Sequence, residues 1–233
     1  MDEFDTILEA YRRHREQFPL TFFTYENMAH LCRIQERHRA TLTTLARAGY
    51  CPLAGLRILD VGCGDGNMLR QFLQWGALPE NLAGIDLRPA AADYARSLNP
   101  NLDVRCGDAI ALPWPDESFD LVCQHTVFTS IVSPEVRKKV ANEMCRVLRP
   151  GRAILWYDFI YNNPRNPNVR GIPRKKIQAL FPDFDVRLCS LTLISMIARR
   201  LPEPLLPVLY PLLSAVRPLR THCFGLLIKP VVT

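Results

Sequence analysis

The chain has 233 residues, 48% of them hydrophobic and 22% charged, with a net charge of +6. That composition is close to the globular average and excludes a disordered or low-complexity chain. The sequence has no run of about 18 uncharged apolar residues, which argues against a membrane-spanning helix. The charged N-terminus, MDEFDTILEAYRRHREQF, lacks the apolar stretch of a secretory leader. Eight cysteines are scattered singly, without zinc spacing, and read as reduced, mostly buried thiols of a cytoplasmic protein. Residues 151–233 hold twelve basic and four acidic side chains and ten of the nineteen prolines. A basic third of this kind suits an anionic partner, and it equally suits a solvated arginine-rich face.

Apolar residues recur at helical spacing over 2–18, ending at Pro19, and again over 26–48, ending at Gly49. These read as a helical cap, residues 1–50, on a larger domain, residues 51–233. From Arg57 onward short apolar runs alternate with helical stretches. Strands are expected at 57–61, 82–86, 102–106, 119–124, 152–159, 185–191 and 222–228, and helices at 67–75, 89–98, 134–147 and 173–181. The runs are almost continuously hydrophobic, as strands covered on both faces should be. The expected fold is α/β: three layers, doubly wound around a mostly parallel seven-stranded sheet. Residues 193–219, rich in Leu and Pro, read as an insertion cut by its prolines into short helices.

The most informative segment is LDVGCGDG, residues 59–66, a glycine-rich turn between a strand and a helix. Gly62 and Gly64 permit a tight turn and close approach of a ligand to the backbone. The dinucleotide pattern requires a third glycine at 67, where Asn67 stands, and the phosphate-loop pattern lacks its Gly-Lys-Ser/Thr. What stands here is an acidic residue followed by G-x-G-x-G: Asp60, Gly62, Gly64 and Gly66. Further along come Asp86 ending a strand, Asp108 in RCGDA, the run PDESFD at 115–120, and Arg146, Leu148, Pro150 and Gly151 before a fifth strand.

In that order and spacing, residues 57–159 resemble the class I (Rossmann-like) S-adenosylmethionine-dependent methyltransferases, in particular the type 11 methyltransferase domain. Arg152 stands in place of the family's second glycine after Pro150. The resemblance implies S-adenosylmethionine as cofactor and S-adenosylhomocysteine as product. It assigns Asp60, Gly62, Gly64 and Gly66 to the methionine end, and Asp86 with Leu87 to the ribose. Asp108 with the Ala109 N–H then serves the adenine, and Gln124 lies beside the methionine moiety. His125, at the end of the fourth strand, is a candidate general base and equally a hydrogen-bonded structural histidine. Tyr25, Asn27 and His30 head the cap helix and are placed to close over the cofactor.

The segment 156–176 offers Tyr157, Asn162, Asn163, Arg165 and Arg170 for substrate hydroxyls or phosphate, or else forms a proline-pinned turn. No metal-binding constellation can be assigned. The expected activity is methyl transfer to a small-molecule hydroxyl, on a sugar, glycolipid or natural product. RNA methylation and a non-catalytic scaffold are the alternatives, and nucleic acid is the less expected partner. Residues 193–219 offer a basic apolar patch for peripheral contact with the inner face of a membrane, a homodimer face, a lid or ordinary core cover. Both a monomer and a homodimer are compatible with the sequence.

Overall fold

The computed structural model describes residues 24–162 and 169–231. The helix expected over 2–18 and the candidates Asn163 and Arg165 lie outside the described residues. Seven strands form one sheet: β1 (Ile58–Val61), β2 (Leu82–Asp86), β3 (Asp103–Cys106), β4 (Phe119–His125), β5 (Leu148–Phe159), β6 (Asp185–Leu193) and β7 (Arg220–Ile228). Their order is β3-β2-β1-β4-β5-β7-β6, with β7 antiparallel to both neighbours and the other pairings parallel. Every expected strand is present. The fifth starts earlier than expected, at Leu148, because the Arg149–Gly151 stretch continues the strand; Gly151 there has φ +71°.

Side chains alternate between the two faces of each strand, so parity decides which helices they meet. Leu59, Val122, Ile154 and Trp156 pack on one face, under α4 (Pro134–Val147) and α5 (Arg174–Leu180). Ile58, Leu121, Leu155 and Phe224 pack on the other, under α1 (Met28–Arg47), α2 (Asn67–Gln74) and α3 (Pro89–Leu98). The insertion between β6 and β7 holds only short pieces, α6 (Ser195–Ala198) and α7 (Leu206–Ser214), with Pro211 inside the latter.

Two sequence motifs meet at the N-terminal edge of the sheet. Arg146, ending α4, bonds Glu143, Asp116 and the carbonyls of Leu112 and Trp114, and so pins the 115–120 run against the helix. Buried Asp120 accepts from the Arg57 N–H and from Arg149. The strand ends at the opposite edge are thereby left for the site.

The helix following the glycine turn is anchored by Phe72, which is fully buried and meets Trp75 edge-on at 5.5 Å. Phe72→Ala is expected to lose about 3–5 kcal/mol in urea denaturation. A loss under about 1 kcal/mol would mean that α2 does not depend on this contact.

Candidate functional site

The strand order reverses between β1 and β4, and in open α/β sheets ligands bind at the carboxyl ends of the strands flanking such a point. The glycine turn leaves β1 here. Gly62, Gly64 and Gly66 all have positive φ, +70°, +58° and +77°. At Gly62 a Cβ would also lie 2.4 Å from a methyl of Val127, so both conformation and space require glycine. The turn is tied to β2: the N–H groups of Gly62 and Cys63 donate to the Ile85 carbonyl at 2.8 and 2.9 Å.

Asp86 ends β2 and is buried. Its Oδ2 accepts from the Gly64 N–H at 2.8 Å, and its Oδ1 accepts from the Arg88 backbone N–H and Nε at 3.0 and 2.9 Å. The carboxylate thus stands at the expected place, braced by the turn and by a guanidinium that the sequence reading did not use. Leu87 is half-buried beside it. Asp108 is exposed on the loop after β3, where its Oδ1 accepts from the Ile110 N–H at 3.0 Å, and Ala109 packs on the core.

The face of the sheet beneath α1 carries a buried polar group. Asp60, His125 and Tyr157 share strand parity with Ile58, Cys123 and Leu155, and β4–β5 pairing sets His125 directly against Tyr157. Asp60 is 2% exposed and its Oδ1 has no hydrogen-bond partner. The His125 Nδ1 lies 3.5 Å from that oxygen, longer than an ordinary hydrogen bond, and neither ring nitrogen has a partner. Burial lowers the His125 pKa, the Asp60 carboxylate opposes this, and Arg37 reinforces it. Gln124, on the opposite parity, accepts the Val127 N–H at its Oε1 while its buried Nε2 is unpartnered.

The roof was only partly legible in the sequence. On α1, His30, Arg33 and Arg37 recur at i, i+3 and i+7, a polar stripe on the side of the cap facing the sheet. The Arg37 guanidinium stands 5.5 Å from the centre of the Tyr157 ring, and its buried Nε has no partner. Burial and the two arginines push His30 down to about 4, so its neutral ring accepts Arg33 at 2.8 Å. Asn27 accepts the His30 N–H as the helix cap, and Tyr25 is exposed. The stripe spacing was the available signal for Arg33 and Arg37.

The segment after β5 is dispersed. Tyr157 is part of the strand, buried, stacked on His222 at 4.4 Å and bonded to the Thr192 hydroxyl at 2.9 Å. Asn162 accepts the Gly171 N–H at 3.0 Å, and Arg170 is exposed, its backbone N–H donating to the Thr129 carbonyl. Tyr157 therefore joins the group under α1, whereas Asn162 braces its own loop. Among the described residues no cluster of His, Cys, Asp or Glu could hold a metal ion.

Gly62→Ala is expected to lose at least about 1–2 kcal/mol in thermal or chemical unfolding, from the left-handed conformation alone. An unchanged stability would show that the turn and Val127 yield freely.

Residues 58–151 match a family model described as a methyltransferase domain. The phthiotriol/phenolphthiotriol dimycocerosates methyltransferase of Mycobacterium tuberculosis is 36% identical over 131 residues, 55% of this chain and 47% of that protein. The tRNA N(3)-cytidine methyltransferase METTL2 of Gallus gallus is 34% identical over 143 residues, 58% of this chain and 37% of that protein. The chain therefore spans less than half the length of either relative. A solved SAM-dependent methyltransferase from Methanosarcina mazei superposes with a TM-score of 0.60, covering 80% of this chain and 98% of that one at 16% identity, and so shares the fold. Family and fold imply S-adenosylmethionine as the cofactor. Residues 58–151 thus match a methyltransferase domain, and the chain has the Rossmann-like fold of S-adenosylmethionine-dependent methyltransferases.

Proposed function

We propose that the protein transfers a methyl group from S-adenosylmethionine to a hydroxyl of a small, lipid- or sugar-containing acceptor. One observation carries the cofactor reading. Near the glycine turn, on the face of the sheet under α1, Asp60, His125 and Arg37 each keep a buried polar atom without a partner. Such atoms are costly unless something polar meets them. An amino-acid group with one ammonium and one carboxylate is the complement of a carboxylate and a guanidinium at this spot. Asp60 would take the ammonium and Arg37 the carboxylate, with Asp86 accepting ribose hydroxyls and Asp108 and Ala109 facing the adenine.

S-adenosylmethionine, when bound, supplies a methyl group on a sulfonium sulfur. The chain supplies position and a proton acceptor. Orientation alone accounts for a large share of such a rate. His125 is neutral at pH 7, because burial holds its pKa below the ordinary value, and it has an unpaired nitrogen to receive the acceptor's proton. Arg33 overhead favours an oxygen that gains negative charge as that proton leaves. The acceptor class is supported by the buried polar group under α1, the apolar insertion beside it, and the likeness to a methyltransferase whose name specifies phthiotriol lipids. The RNA reading has the likeness to a tRNA methyltransferase in its favour. The segment 156–176 is a proposed acceptor contact through Tyr157, Asn162, Asn163, Arg165 and Arg170.

The test follows label from methyl-tritiated S-adenosylmethionine. Label in the lipid or glycan fraction of a cell extract is expected; label confined to RNA would contradict the acceptor class. Asp86→Ala is expected to weaken S-adenosylhomocysteine binding by about 1.5–3 kcal/mol, the scale of hydrogen bonds to a charged group. An unchanged affinity would remove Asp86 from the site.

His125→Ala is expected to lower kcat by about 10²–10⁴-fold with cofactor affinity kept. The pH profile has a defined sign: the reacting form is the neutral imidazole and the folded pKa is depressed. Activity should therefore be level above about pH 6.5 and fall only as pH drops through the lowered pKa. A profile unaltered by His125→Ala would exclude the base role.

A further inference from the structure

The insertion between β6 and β7 leaves an apolar face uncovered. In α7, Leu206, Tyr210 and Ser214 turn inward, and Tyr210 and Ser214 bond Glu36 of α1. The opposite side presents Leu205, Val208, Leu212 and Val216, with exposures of 51, 61, 62 and 47%, and the gaps are filled by Pro207 and Pro211. Residues 204–216 contain no charged side chain. Of twelve exposed large hydrophobic residues among the described ones, these four fall within twelve positions, and Met196 lies a little upstream in the same insertion. The rest are scattered, so this patch is a feature of the insertion and not of the surface at large.

Charge frames the patch. Arg199 and Arg200 precede it and Arg217 follows it, all three exposed, with Glu203 the only acid between Ser195 and Arg220. We propose that this face docks on an anionic lipid bilayer. Leu205, Val208, Leu212 and Val216 would enter the boundary between headgroups and acyl chains while the three arginines meet lipid phosphates. Thirteen uncharged residues are too few to span, and no helix among the described residues is long and apolar enough to cross a membrane, so the segment lies on the surface. The anionic surface is favoured over a second copy of the chain. A two-fold interface would set the patch against itself and bring arginine-flanked ends together.

The insertion also borders a cleft, through Arg199 and Leu206 beside the patch. The cleft, of about 400 Å³, is lined by Leu201, Leu206 and Arg199 of the insertion and by Asn27 and Ala29 of the cap. It shares Asn27, Ala29, Ala198 and Arg199 with an inner hollow lined by His30, Arg33 and Tyr210. Docking would set this opening against the lipid, from which an acceptor reaches the arginine stripe under α1. The docking itself stands on the surface and does not depend on the methyl-transfer reading.

The full chain is sedimented with vesicles of phosphatidylcholine alone, or containing about 30% phosphatidylglycerol, at low and high salt. Binding is expected to the anionic vesicles only and to weaken with salt. The double variant Val208→Asp/Leu212→Asp, and separately Arg200→Glu/Arg217→Glu, should each weaken it by at least about tenfold. Both variants should keep wild-type S-adenosylhomocysteine affinity and unfolding temperature, since all four side chains are exposed. No vesicle binding, or binding indifferent to lipid charge or to these substitutions, overturns the proposal. So does a wild-type dimer in light scattering that Val208→Asp/Leu212→Asp turns into a monomer, which would make the face a homodimer interface.

Discussion

A carboxylate buried at the end of β1, with one oxygen lacking any hydrogen bond, sets the terms for everything around it. An unpaired charge in a water-poor interior is among the costliest features a fold can hold. Asp60 is held there by the β1–β2 and β1–β4 pairings on either side and by the glycine turn that follows it. The groups around it respond to that charge. His125 stands 3.5 Å away and Arg37 approaches from the cap. Burial pulls the histidine toward its neutral form and the carboxylate pulls it back. The balance of these opposing effects gives a neutral imidazole with unpaired nitrogens.

Strand parity turns this local arrangement into a site. One residue of shift in β4 would move His125 to the α4 face, away from Asp60. The parallel pairing of β4 with both β1 and β5 fixes the register, and the antiparallel pairing of β7 then brings His222 to the same face, stacked on Tyr157. α1 closes that face with charged residues instead of apolar ones. It stays anchored by Cys32, Thr41 and Leu45, and by the bonds from Glu36 to Tyr210 and Ser214. The insertion carrying Tyr210 and Ser214 is therefore mechanically part of the roof, which joins the apolar outer face to the polar interior.

Much of this was legible in the residues. The central strands β1, β2 and β4 stood out as apolar runs because both their faces are covered, and Gly62, Gly64 and Gly66 because no other residue suits three left-handed positions in five. Asp86 was legible as a carboxylate ending a strand, although Arg88 bracing it was not, since a residue two positions on carries no periodic signal. Tyr157 falls in the expected strand 152–159 and was offered to substrate with the segment that follows; strand alternation instead buries it under α1. Arg37 escaped because a long side chain on a half-buried helix looks solvated until the opposing surface is known. The polarity of its stripe, at i, i+3 and i+7, was visible, but the face of the sheet it would meet was not.

The central claim is that Asp60 and Arg37, each with a buried polar atom that has no partner, receive the amino-acid end of the cofactor. Calorimetric titration with S-adenosylhomocysteine and with 5′-methylthioadenosine, which lacks that end, tests it most directly. Two charged contacts at about 1.5–3 kcal/mol each predict that S-adenosylhomocysteine binds at least about a hundredfold tighter, and that Asp60→Asn or Arg37→Ala narrows the gap. Equal affinities for the two ligands would contradict the account and leave the buried polar atoms without the partner assigned to them.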